Sequence, residues 1–157
     1  MMVKVDLEHE YRRHVRALSH YASVLVGPDE AMDVVNDAVA NTLARGSLVD
    51  VKDIRAYWFQ AVTYTASSWH RSRMRRIARE RRVSALTPAV RDTPMDLEDS
   101  LKVLAGLSVQ QRAVVYFAYW EDWPVERIAG VLGVGAGTVR KQLGRARAHL
   151  REVLTNE

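Results

Sequence analysis

Apolar residues recur along most of this chain at alternating steps of three and four, the spacing that gathers them on one stripe of an α-helix. Tyr11, Val15, Leu18, Ala22 and Leu25 form the first stripe, and Gly27-Pro28 terminates it. Asp29 and Glu30, acidic residues suited to the positive end of a helix dipole, open a second helix that stops near Gly46. Its inward positions are Ala31, Val34, Val35, Ala38 and Thr42. A polar loop from Gly46 to Asp53 leads to a third helix with Ile54, Trp58, Ala61, Thr65 and Trp69 on its apolar side. That helix continues into Arg71, Arg73, Arg75, Arg76, Arg79, Arg81 and Arg82. Beyond Val83 the period fails, because Ser84, Thr87, Pro88, Asp92, Thr93 and Pro94 are turn formers. Helical spacing returns with Leu97, Leu101 and Leu104, runs through Arg112 to Trp120, and continues through two further helices. The pattern predicts an all-α chain of two small helical domains, residues 1–82 and 96–157, joined by a flexible linker over 83–95.

A length of 157 residues accommodates two such domains, each with a modest core. The formal net charge of +4 is mild, but most basic residues sit in two blocks, and local clusters set the field that a polyanion meets. Nucleic acid is therefore the first partner to consider. The chain has no cysteine, which excludes disulfides and Cys-ligated zinc and fits a reducing cytoplasm. No apolar run approaches the roughly 20 residues that span a bilayer, so a soluble protein without membrane insertion is expected. Histidines at 9, 14, 20, 70 and 149 are scattered, and neither a nucleophile with its base nor a phosphate-binding glycine loop appears. The expectation is a non-enzyme without cofactor or metal.

Glu126-Arg127-Ile128-Ala129-Gly130-Val131-Leu132-Gly133-Val134-Gly135-Ala136-Gly137-Thr138-Val139 has helix-turn-helix spacing. Ala129 stands where two helices cross closely, Gly133 supplies the turn conformation, and Val139 plugs the second helix into the core. After the turn, Val139, Leu143, Ala146 and Leu150 form the inward stripe, which sends Arg140, Lys141, Arg145 and Arg147 to other faces. Such a helix fits the major groove, where Arg and Lys pair with guanine edges and neighbouring cations grip phosphates. An ordinary α-hairpin with a solvated basic face is the bland alternative.

From Leu107-Ser108-Val109-Gln110-Gln111-Arg112 through Leu150, including Gly137-Thr138-Val139-Arg140, the chain resembles the fourth region of bacterial sigma factors. The first half resembles their second region: Asp29 to Arg45, centred on Asp33-Val34-Val35-Asn36-Asp37-Ala38, is similar to the polymerase-binding helix. Arg55-Ala56-Tyr57-Trp58 onward is similar to the promoter-melting helix. With no room for other sigma regions, the resemblance is to the extracytoplasmic-function group. It implies a bacterial, cytoplasmic factor that binds core RNA polymerase and promoter DNA, and an inhibitory anti-sigma protein is an expectation from the group.

The resemblance assigns Asp33, Val34, Val35, Asn36 and Asp37 to the clamp helix of the largest polymerase subunit. Asp33 and Asp37, one turn apart, repel unless something positive offsets them, and a basic partner surface is one such offset. A solvated acidic face and, with less support, a metal site are the other readings. Arg55, Tyr57, Tyr64, Arg71, Arg73, Arg75 and Arg76 are assigned to the minus-10 element, since rings stack on unpaired bases while arginines hold the backbone. Trp58 and Trp69 share the buried stripe and read as core. The Gly46 to Asp53 loop is implied to hold a flipped base. The minus-35 element falls to Arg140 and Lys141 at base edges, with Thr138, Gln142 and Arg145 nearer the backbone. Tyr64 and Ser68 depart from the family's usual asparagine and aspartate, Pro124 and Gly135 replace capping hydroxyls, and Gly144 removes a DNA-facing side chain. The main alternative function is a stand-alone helix-turn-helix regulator without productive polymerase contact; a protein-binding adaptor would leave the C-terminal arginines without a purpose.

Overall fold

The computed structural model describes residues 6–45, 51–83 and 103–156, with the side chains of 82 and 83 left out. Three helices make the N-terminal half: α1 (Leu7–Val26), α2 (Ala31–Ala44) and α3 (Ile54–Val83). The C-terminal half holds α4 (Val109–Val115), a π-helical turn (Tyr116–Trp120), α5 (Val125–Leu132) and α6 (Ala136–Thr155). All regular structure among the described residues is helical, so the fold class is all-α. The predicted linker, 83–95, lies outside the described residues apart from Val83.

Local chemistry explains most boundaries. Asp6 caps α1 by accepting from the N–H groups of Glu8 and His9 at 3.2 and 3.3 Å. Gly27 ends it with φ +93, a conformation strained for any side chain. Asp53 accepts from Ala56 N–H at 3.1 Å and starts α3. Ser108 and Gln111 form a reciprocal capping box at α4, with bonds of 3.1 and 3.0 Å. The apolar period carried the expected helix through to Trp120, but α4 ends at Val115 and the chain widens into the π turn. Such turns are rare, and this one aims Tyr116 and Phe117 inward while leaving Tyr119 and Trp120 exposed.

The buried stripe of α2 is the predicted one. On α1 and α3 it is wider than predicted: Tyr21, Phe59, Val62 and Ala66 are also fully or almost fully buried. For Tyr21 and Phe59 the reason is a second packing partner. Tyr21 and Phe59 meet Tyr116 and Phe117 of the C-terminal half at ring separations of 4.8 to 6.2 Å, and Phe117 stacks flat on Trp123 at 4.6 Å. The Tyr21 hydroxyl donates to Thr63, whose own proton is committed to the Phe59 carbonyl at 2.7 Å. One contiguous core therefore runs through both halves.

Phe59→Ala should cost about 3 to 5 kcal/mol, the usual range for a buried aromatic truncation. Urea unfolding followed by tryptophan fluorescence and far-UV circular dichroism should show the loss in one coincident transition for both halves.

Candidate nucleic-acid and polymerase interfaces

The helix-turn-helix is built as its sequence requires. Gly133 adopts φ +67 between α5 and α6, and the Val134 N–H reaches back to Ala129 O at 3.1 Å. Ile128 and Val139 are fully buried and Ala129 nearly so, which locks α6 against α5. Thr138, Arg140, Lys141 and Arg145 all emerge exposed on α6. Gln142 does not belong with them: it is half-buried and bonded to Gln111 at 3.1 Å and Gln110 at 3.4 Å, so it ties α6 to α4. Arg140 rests 3.4 Å from Glu126 with both side chains mostly in solvent, a weak pairing. Arg147 donates to the Tyr119 hydroxyl and lies over that ring. Neither Pro124 nor Gly135 supplies a side-chain cap, and a Cβ at Gly144 would meet nothing within 4 Å.

On α3 the basic arm is divided. Arg71, Arg75 and Arg76 are exposed, whereas Arg73 is drawn back to Glu30 at 3.3 Å. Arg55 lies over the Phe59 ring and pairs with Glu121 of the C-terminal half at 2.8 Å. Tyr57 and Tyr64 line one cavity of about 250 Å³ with Asn41, Arg45 and Gln60. Those last three were missed by sequence reasoning; their signal was Asn41-to-Arg45 spacing on α2 opposite Tyr57, Gln60 and Tyr64 on α3. Trp58 is core and Trp69 half-buried. Of the Gly46 to Asp53 loop, residues 46–50 lie outside the described residues.

On α2, Asp33, Asn36 and Asp37 are exposed, but Val34 and Val35 are fully buried. Their assignment to a polymerase contact is corrected: the helical period turns both into the core, and they support the face from beneath. The charge offset for the acidic pair is partly internal. Asp37 accepts the Trp69 indole N–H at 3.0 Å, and Glu30 and Asp33 share a trough with Arg73, Arg76 and Arg79. Among the described residues, no group of three or more His, Cys, Asp or Glu is placed to hold a metal ion, and no helix is long and apolar enough to cross a membrane.

A capped three-helix half joined to a helix-turn-helix with a bare basic face defines an all-helical DNA-binding protein. Residues 98–150 match the family model described as Sigma-70, region 4. The chain is 33% identical to the RNA polymerase sigma-E factor of Streptomyces coelicolor, over 96% of this chain and 86% of that one. It is 29% identical to the ECF RNA polymerase sigma factor SigL of Mycobacterium tuberculosis, over 92% and 86%. Among solved structures, the sigma factor RpoE of Bartonella quintana, in complex with the anti-sigma factor NepR, superposes with TM-score 0.69 at 26% identity over 98% of both chains. CnrH, in complex with the cytosolic domain of CnrY, has the same fold at TM-score 0.68 and 22% identity, covering 96% of this chain and 88% of that one. The chain belongs to the sigma-70 family, in its extracytoplasmic-function group.

Asp33→Arg with Asp37→Arg, a reversal on an exposed face, should lower core-polymerase affinity at least tenfold in a pull-down or fluorescence titration, with far-UV circular dichroism showing the helical fold retained despite the lost Trp69–Asp37 bond. Arg140→Ala should cost about 1 to 3 kcal/mol on the preferred upstream element and relax discrimination at one base pair. Competition binding with single-base variants of that element measures it.

Proposed function

We propose that this sigma factor docks core RNA polymerase through the exposed carboxylates of α2 and directs it to promoters with two separate DNA contacts. The observation that carries this reading is the presence, in one chain, of an unobstructed basic recognition helix and a second basic and aromatic surface on a different helix. On α6, Arg140 and Lys141 reach base edges in the minus-35 element, with Thr138 and Arg145 at the backbone. On α3, Arg71, Arg75 and Arg76 hold the minus-10 backbone, and the pocket between Tyr57 and Tyr64 has the aromatic walls and amide groups that suit an unstacked base.

The protein contributes recognition, and polymerase contributes catalysis. Its place of action is the bacterial cytoplasm, where polymerase and promoter meet. An anti-sigma protein is the natural inhibitory partner, since the RpoE structure contains one. A stand-alone regulator is disfavoured, because the likeness to sigma-E covers the N-terminal half as well as the helix-turn-helix.

Run-off transcription from a pool of promoter fragments tests the proposal. With purified core polymerase, defined transcripts should appear only when this protein is added, and their start sites should lie downstream of two shared elements. DNA binding by the protein alone, without transcripts, would overturn it in favour of the regulator.

A further inference from the structure

Two side chains of α3 reach across to the acidic face of α2. Trp69 and Arg73 stand one turn apart on α3, so both project from one side of it. The Trp69 indole N–H donates to Asp37 at 3.0 Å, and the Arg73 guanidinium donates to Glu30 at 3.3 Å. Glu30 at the N-cap of α2, Asp33 and Asp37 recur at steps of three and four, which places them on one stripe. Both ends of that stripe are therefore tied to α3, while Asp33 between them lies in the same trough as Arg73, Arg76 and Arg79. Arg73 falls within the basic run that a linear reading gives to DNA, and Trp69 within the apolar stripe that reads as core. Neither role explains why a polar atom of each meets a carboxylate of α2.

The chemistry of the Trp69 bond is one-sided. An indole N–H only donates, so its partner must accept, and the ionised carboxylate of Asp37 accepts it in a charge-assisted bond. The bond uses Oδ2, and a carboxylate accepts through both oxygens, so the group can still take a donor from a partner surface. Trp69 is half-buried and packs against the core, which anchors the donor, whereas Asp37 is exposed. The like charge of Asp33 one turn away favours rotamers that turn the two carboxylates from each other, and the indole opposes that drift. An exposed aspartate without such a bond loses rotamer freedom when a partner binds; one that is already held does not.

We infer that Trp69 is a positioning residue for polymerase docking: its indole N–H presets the Asp37 carboxylate on the exposed face of α2, and Arg73 on Glu30 steadies the same stripe from its other end. The inference rests on the docking reading above. It gives one face of α3 to the support of α2, while Arg71, Arg75 and Arg76 on the same helix stay exposed for DNA. Removing the indole N–H leaves the charge of Asp37 in place, so polymerase still binds, but to a carboxylate that it must order itself.

A double-mutant cycle on core-polymerase affinity, measured by fluorescence titration of the full chain, tests this. Trp69→Phe keeps a ring against the core and removes the N–H. It should weaken binding roughly three- to tenfold, the range expected when one ordered side chain at an interface is set loose. Asp37→Ala should weaken binding by at least as much. In that background Trp69→Phe should add less than about twofold, because the bond it removes is already gone. An affinity unchanged by Trp69→Phe overturns the inference and leaves the docking reading intact. A loss of equal size in both backgrounds also overturns it, since the ring then acts through packing or direct contact rather than through Asp37. Far-UV circular dichroism checks that each variant keeps its helices. Should Trp69→Phe fail to fold, benzothienylalanine in place of Trp69, with sulfur where the N–H stands, keeps the ring volume and carries the same comparison. If Asp37→Ala leaves polymerase affinity unchanged, the inference falls; the docking reading falls with it only if Asp33→Arg with Asp37→Arg is equally without effect.

Discussion

Packing of aromatic rings between the two halves is the constraint on which the rest of the structure depends. Tyr21 from α1, Phe59 from α3, Tyr116 and Phe117 from the π turn, and Trp123 before α5 form one cluster with edge-on and stacked pairs. Aromatic pairs at these separations contribute about 0.5 to 1.5 kcal/mol each beyond the area they bury, so the cluster is a large share of a small protein's stability. It also dictates local backbone. A regular α-helix through Trp120 would carry successive side chains around the axis at 100° steps. The π turn instead holds two consecutive rings against α1 and α3, and its end is closed by Glu121 N–H on Tyr116 O and Trp123 N–H on Phe117 O. Asp122 takes φ +58, the one described non-glycine residue with positive φ, at the bend that returns Trp123 to the cluster.

That cluster marks the limit of what could be read in the sequence. Helical spacing locates α2 and the two motif helices, because each buries a single stripe against its own neighbours. The α2 stripe, Ala31 to Thr42, is legible for that reason. Tyr21 and Phe59 fall off the predicted stripes because a second partner, remote in sequence, buries the adjoining face of α1 and α3. Periodicity measures one face at a time and does not report a helix buried on two. The π turn is equally silent, since an inserted residue in a helical ladder leaves an apolar run looking continuous.

The candidate interfaces divide along similar lines. Exposed cations on α6 were legible because an uninterrupted basic face opposite a known apolar stripe has nowhere else to point. Val34 and Val35 were misplaced because family resemblance assigns a segment as a block, whereas the helix shows its partner only some of those residues. Gln142 went astray for a related reason: its neighbours point to solvent, but its own amide satisfies two glutamines of α4. Asn41, Arg45 and Gln60 were missed because their spacing on α2 and α3 gains meaning only once packing sets those two faces opposite each other.

Allocation of charge follows from the same packing. Arg73, Arg55 and Arg112 all lie in basic or polar stretches that a linear reading treats as free for DNA or solvent. Each is instead committed to a partner on another element: Glu30, Glu121 and the Leu25 carbonyl. Arg112 is the most constrained, with its Nε also shared between the carbonyls of Leu104 and Leu107 at 3.0 and 3.2 Å. Burial pulls its pKa below the ordinary guanidinium value. A guanidinium does not deprotonate in proteins, so this cost is offset by hydrogen bonds to three carbonyls rather than removed by loss of charge. Lysine would not replace it, because one ammonium lacks the planar fork that reaches carbonyls on both halves. Arg71, Arg75, Arg76, Lys141 and Arg145 are among the exposed cations that make no ion pair with the described residues, and a polyanion is a partner that their charge fits.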